Sequence, residues 1–348
     1  MKTKTLVLLL LWGSSFNLIA QSSSIKNSGF IYENAPFKSC HASTLAETSQ
    51  GIVAAWFGGS HEKNPDVEIY FSRLVNSKWT APVSVANGIQ HSTKRYPCWN
   101  PVLFQVPDGQ LILFFKVGPD PSHWWGEMKE SFDGGLTWSE SRRLPEDIFG
   151  PIKNKPVLLS DGRLLCPSSK ETEIGNEDHW QVFVEETSDW GKTWKITKAL
   201  NDGVSTNAIQ PSILTYPDGK LQMLCRSREN RLMSFWSDDN GQTWSDIQLT
   251  DIPNPNSGTD AVSLKDGRQL LIYNPTEKYD GKWGGPRTPL SLAISKDGKN
   301  WMPVLTLENE KGEYSYPAII QTEDGMVHIT YTHNRTRIKY LEINPDKL

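Results

Sequence analysis

A chain of 348 residues with a net charge of −4 at pH 7 offers no basic field for nucleic acid. Beyond the N-terminus no segment is long and apolar enough to span a bilayer, so membrane insertion is not expected. The 14 tryptophans are expected first as packing groups, because aromatic side chains dominate cores.

In chain order, Lys2 and Lys4 precede an apolar run from Leu6 to Trp12, and small and polar residues follow from Ser14 to Ala20. This reads as a signal peptide over residues 1–20, with a buried first strand as the alternative. The mature chain, 21–348, is then expected to be one domain, periplasmic or secreted, and monomeric. The four cysteines, Cys40, Cys98, Cys166 and Cys225, match no zinc spacing. They read as buried small residues, with a disulfide as the open alternative. Neither a metal nor another cofactor is expected.

From Gln50 onward one unit recurs: an apolar strand, a tight turn, a second apolar strand. The turns are Gln50-Gly51, Asp108-Gly109, Asp161-Gly162, Asp218-Gly219, Asp266-Gly267 and Asp324-Gly325, at intervals of roughly 50–60 residues. Between them lies a second repeat, Ser131-Phe-Asp133-Gly-Gly135-Leu-Thr137-Trp138. It returns at Thr187–Trp194 and Ser237–Trp244, and in shortened form at Ser295–Trp301. Asp and Ser in such a segment bond the backbone of a tight turn, Gly takes the turn conformation, and Trp fills the space between strands. Helical periodicity is nearly absent. The pattern predicts an all-β fold, a six-bladed β-propeller with Asp-box turns. An N-terminal strand near Phe30–Tyr32 is expected to close the last blade.

In each unit the start of the first strand and the end of the second share the end opposite the turn, and six such ends meet around one axis. Those positions carry His41, Asn100, Lys153, Glu171, Gln210, Arg226, Arg287, Tyr316 and Arg335, with Glu62 and Asp66 in the first long loop. Strand ends rich in Arg, Lys, His and Asn predict an anionic ligand, since guanidinium groups fork onto carboxylates.

The box motif resembles the Asp-box of sialidases, and from Lys38 to Glu342 the chain is similar to bacterial predicted neuraminidases and BNR-repeat proteins. That resemblance implies a carboxylate clamp of three arginines, a Tyr nucleophile activated by a Glu, and an Asp as acid and base. Arg226 and Arg287 match the second and third arginines. Tyr316 matches the nucleophile, with Tyr314 as an offset alternative. Asp66 or Glu62 matches the acid and base. The departures are His41, where the first arginine belongs, and Gln210, where the Glu belongs in an Ile209-Gln210-Pro211 context. Without a Glu beside it a phenol is a poor nucleophile.

The expected catalytic set is therefore His41, Tyr316, Asp66 and Gln210. The expected substrate contacts are Arg226, Arg287, Asn100, Lys153, Glu171 and Arg335, with Trp124 and Trp125 as stacking platforms. The expected partner is an acidic oligosaccharide. The preferred chemistry is β-elimination on a uronic acid, as a lyase or an oligosaccharide dehydratase. The alternatives are a sialidase-type exo-glycosidase, with Asp66, Glu62, Glu171 and Asp260 as its available carboxylates, and a non-catalytic sugar-binding propeller.

Overall fold

The computed structural model describes residues 24–174 and 177–348; the segment read as a signal peptide lies outside them. Six antiparallel units, the first of five strands and the others of four, follow one another along the chain. The first is built on Ser39–Thr48, Gly51–Gly59 and Glu68–Val75, the second on Cys98–Gln105, Leu111–Val117 and Trp125–Ser131. The third has Leu164–Ile174 and Glu177–Thr187 as its long pair, and the fourth has Ala208–Thr215, Leu221–Ser227 and Arg231–Ser237. The fifth has Asp260–Ser263, Gln269–Tyr273 and Leu290–Ser295, and the sixth has Tyr314–Gln321, Val327–His333 and Arg337–Ile343. Second strands such as Leu111–Val117 and Leu221–Ser227 are buried along their whole length. That follows from burial on both faces, where alternation is no longer required.

The ring closes through the N-terminal segment, as the sequence pattern requires, but the strand lies upstream of the expected residues and shares only Phe30 with them. Ile25–Phe30 pairs with Arg337–Ile343 as the outer strand of the sixth blade. Tyr32 has already left the sheet and stacks on Trp56, ring centroids 5.2 Å apart. The hairpin turns use the backbone freedom of their glycines: φ is +84° to +113° at Gly51, Gly162, Gly219, Gly267 and Gly325. In the second blade the left-handed position falls instead on Asp108, at φ +52°. All four cysteines are buried and unpaired.

The boxes staple neighbouring blades. Ser131 Oγ donates to Asp133 Oδ1 (2.8 Å), the Gly135 amide donates to Ser131 Oγ (2.8 Å), and Thr137 Oγ1 donates to Asp133 Oδ2 (2.6 Å). The Thr137 hydroxyl, foremost, holds the Asp133 carboxyl down to about 2. Trp138 then lies edge-on to Phe71 of the preceding blade at 5.4 Å, and Trp194 meets Phe114 in the same way at 6.1 Å. Half-burial of Trp138 puts the cost of Trp138→Ala at the low end for a large aromatic, about 3 kcal/mol. Denaturant unfolding checks this; an unchanged midpoint contradicts a structural role for the box.

Candidate active site

At the end of the disc away from the turns, the first strands of four blades carry a bulge. The register shifts within His41/Thr44, Ile209/Ser212 and Ser315/Ala318, and opposite Phe114/Lys116 in the second blade. The bulge residues Ala42, Asn100, Gln210 and Tyr316 sit at φ +56°, +37°, +57° and +49°. Left-handed backbone at non-glycine residues is costly, and a bulge re-aims side chains at the rim of a sheet. Asn100, Gln210 and Tyr316 are each followed by proline, whose missing N–H suits a break in the ladder.

Tyr316 is the centre of what these bulges bring together. Arg226, on Leu221–Ser227, donates from Nη1 to the Tyr316 phenol oxygen at 2.9 Å. Gln210 donates to the same oxygen from Nε2 at 3.1 Å, while its Oε1 faces Arg226 Nη1 at 3.4 Å. A guanidinium can only donate, so this orientation of the amide follows from the arginine. The phenol oxygen thus accepts twice, once from a cation, and no described acceptor takes its proton. His41 packs against the Tyr316 ring with centroids 4.1 Å apart. Its Nδ1 is 3.0 Å from Thr332 Oγ1, and among the described residues no group hydrogen-bonds Nε2. Tyr314, the offset alternative, is buried in the core beside His333 instead.

The electrostatics are those of an anion site. Burial first, then the positive charges of Arg335, Arg287, Lys153 and Arg226, holds His41 well below the ordinary histidine range. Burial and then Arg226 push Arg287 down to about 10. Arg287 Nη1 is buried with no acceptor. The guanidinium of Arg226 is itself fixed by Asn256 Oδ1 at 2.7 Å and lies 5.4 and 5.1 Å from the ring centres of Trp180 and Trp283. Of these groups Arg226, Trp283 and Tyr316 border a cleft of about 430 Å³, lined also by Glu62, Trp99, Glu171 and Asp178. Much of the acid in its outer wall is already paired: Glu62 with Arg335 (2.5 Å) and Asp178 with Arg228 (2.5 Å). Glu171 is not, and burial pushes its carboxyl up to about 7, against the pull of Arg226. Among the described residues no cluster of three or more His, Cys, Asp or Glu is arranged to hold a metal ion.

Set against the sequence reading, His41, Gln210, Arg226 and Tyr316 share one site, with Arg287 close enough to perturb the charge of His41 and Arg226. Glu171 lines the cleft, and Arg335 is bound to Glu62 of that lining and to Glu313 (2.8 Å). Asn100 is buried at its bulge, and among the described residues its side chain makes no hydrogen bond. Other expectations need correction. Asp66 does not reach the cleft: it is exposed, and Ser60 holds both its oxygens at 2.9 Å through its amide and hydroxyl. Trp124 is no platform, because it is buried edge-on to Trp99 at 6.0 Å. Trp125 hydrogen-bonds Glu127 and carries the Arg143 guanidinium on its ring at 4.6 Å, away from the cleft. Lys153 lies beneath the site, its ammonium spent on three protein oxygens. The sequence reading missed Trp283, an exposed indole four residues before Arg287 in the same loop, and Asn256, which orients Arg226.

Comparison with known proteins agrees with the architecture. The "Anhydrosialidase" of Macrobdella decora is 26% identical over 233 residues, which is 59% of this chain but only 29% of the leech protein. The "Sialidase" of Clostridium perfringens is 28% identical over 283 residues, 62% of this chain and 73% of that one. The solved intramolecular trans-sialidase from Ruminococcus gnavus, in complex with oseltamivir carboxylate, superposes with a TM-score of 0.70 at 14% identity, covering 93% of this chain and 99% of that one. The fold is thus a sialidase-like six-bladed propeller. The model of the BNR repeat-like domain matches residues 50–329, and the chain belongs to that family.

Proposed function

We propose that this protein is a carbohydrate-active enzyme that grips the carboxylate of a terminal uronic acid on an acidic oligosaccharide and carries out β-elimination. The observation that carries the reading is the environment of the Tyr316 oxygen, which accepts from Arg226 and Gln210 and touches no carboxylate. An amide cannot take the proton that a sialidase-type glutamate takes. The phenol is better arranged to give a proton than to attack.

The reaction follows from that. Arg226 and Arg287 neutralise the sugar carboxylate, which acidifies the C–H beside it. His41 Nε2 takes that proton, and the C–H electron pair forms a double bond to the neighbouring carbon. The C–O bond on that carbon breaks, and Tyr316 protonates the departing oxygen. The leaving group is an alcohol in a lyase and water in a dehydratase. His41 is a weak base in the free protein because burial first, and then four nearby cations, disfavour its charged form. A bound carboxylate offsets that charge and raises its proton affinity.

One observation favours hydrolysis as a second reading. Glu171 is a cleft carboxyl without an ion-pair partner, poised at about 7, as an acid–base group requires. The relatives named sialidases point the same way. Incubation with uronate-terminated oligosaccharides and with sialyllactose, following mass and ultraviolet absorbance together, separates the readings. Elimination gives a conjugated uronate that absorbs. Hydrolysis adds water and does not. No product from either class leaves a sugar-binding protein. We further propose action outside the cytoplasm, on the pattern of residues 1–20.

The pH profile tests His41. It works as the neutral base, and its pKa is lowered, so activity is present above the folded value and lost as pH falls through it. The profile of kcat/KM, which reports the free enzyme, is expected to stay flat as pH falls through the ordinary histidine range near 6.5. An acid limb at that ordinary value contradicts the assignment.

A further inference from the structure

Lys153 takes no part in the reaction above, yet it sits directly under its centre. It is 3% exposed, and its Nζ lies 5.7 Å from the Tyr316 ring centroid. Three oxygens receive the ammonium: Asn154 Oδ1 at 2.7 Å, Thr259 carbonyl at 2.9 Å and Pro317 carbonyl at 2.7 Å. All three are neutral. The carboxylate of Asp260 is already bound by Lys155 Nζ (3.0 Å), Ser212 Oγ (3.1 Å) and the Ile319 amide (3.0 Å). The two lysines, two positions apart, are thus treated differently: Lys155 ion-pairs with Asp260, while Lys153 feels that carboxylate only at a distance and burial pushes its ammonium down to about 7. A strut needs no buried unpaired charge, and an apolar chain of the same length would fill the space at lower cost.

Room has been kept for the arrangement. A Cβ on Gly258 would lie 3.1 Å from Lys153 Cε, 3.2 Å from Tyr316 Cδ2 and 3.3 Å from Gln210 Oε1, so a bare backbone lets these three side chains converge. The Pro317 carbonyl held by Lys153 belongs to the residue after Tyr316, inside the left-handed bulge that presents the phenol.

We infer that Lys153 is a positioning residue for Tyr316: it pins the bulge through the Pro317 carbonyl, and its unpaired charge stabilises negative charge developing on the phenol oxygen. The inference rests on Tyr316 parting with its proton during turnover, which elimination and hydrolysis share. It is therefore independent of the choice between them.

The test compares Lys153→Met, Lys153→Arg and the double variant Lys153→Met/Tyr316→Phe on whichever acidic oligosaccharide the wild type turns over. Lys153→Met is expected to lower kcat about 100-fold while KM changes less than about threefold, the signature of an interaction made in the transition state. The double variant is expected to be no slower than Tyr316→Phe alone, because the charge acts through the phenol. Lys153→Arg, which keeps the cation, is expected to retain kcat within about tenfold of wild type. A rise in KM at unchanged kcat, or fully additive losses in the double variant, overturns the inference. Should Lys153→Met fail to fold, a folded Lys153→Arg with kcat down 100-fold or more overturns it as well. If the wild type turns over no substrate, the proposed function fails on its own. A crystal structure of Lys153→Met, or of Lys153→Arg if Met does not fold, then decides: Tyr316 leaving Arg226 or its left-handed backbone in the Met variant supports the inference, as does an undisturbed Tyr316 held by the arginine. The opposite result in either variant contradicts it.

Discussion

Tyr316→Phe is expected to fold like the parent and to lose turnover by about three orders of magnitude, within the range for removing a positioned acid or base. The substitution deletes one oxygen. Its ring still packs on His41, and the bulge at Tyr316-Pro317 is held by the Lys153 ammonium through the Pro317 carbonyl, a contact that does not involve the hydroxyl. What is lost is the acceptor for Arg226 Nη1 and Gln210 Nε2 and the proton that no other described group supplies. Gln210 Nε2 is left without a partner, at a cost of about 1–3 kcal/mol, less if cleft water reaches it, while Arg226 Nη1 keeps Gln210 Oε1 at 3.4 Å. A small fall in thermal midpoint with a large fall in kcat is therefore the expected pair of results. Turnover within tenfold of wild type would remove Tyr316 from the chemistry.

The second large effect is expected at Arg287, and its two readouts move in opposite directions. Arg287→Ala removes one arm of the carboxylate clamp. Losing a buried charge-assisted contact is worth about 2–5 kcal/mol, or a weakening of acidic-sugar affinity by roughly 30- to 5,000-fold. Titration calorimetry on a Tyr316→Phe background measures binding without consuming the sugar. Stability is expected to hold or rise, because Arg287 pays for its place in the free protein: Nη1 is buried without an acceptor and Arg226 repels the charge. Unchanged affinity for the acidic sugar contradicts the clamp. A stability loss of the size of a core truncation would instead make Arg287 a structural residue.

The fold was legible because its signals are local. Each Asp-Gly turn and each box carries its own reason to be where it is, and the repeat fixes the number of blades. The closing strand was displaced to Ile25–Phe30 because no turn chemistry marks its ends. The site was legible where hairpin register sets it: Arg226 at the end of one strand and Tyr316 at the start of another must meet at the axis. It was not legible where only side-chain direction decides. Trp124 sits at the right end of its blade, but its ring finds Trp99 rather than the cleft. Asp66 is in the expected loop, but Ser60 is nearer than any ligand. Lys153 and Lys155 are equivalent on paper, and only their partners tell them apart. One further signal was present in the sequence. Asn100-Pro101, Gln210-Pro211 and Tyr316-Pro317 recur at the same place in three units, and each marks a bulge.

The central claim concerns where a carboxylate binds. A crystal structure of the Tyr316→Phe protein soaked with a uronate-terminated oligosaccharide addresses it directly. The expected result is a sugar carboxylate between the guanidinium groups of Arg226 and Arg287, with its ring above residue 316 and the carbon beside the carboxylate facing His41. A carboxylate held elsewhere on the disc, or a sugar whose acid group points out to solvent, would contradict the account.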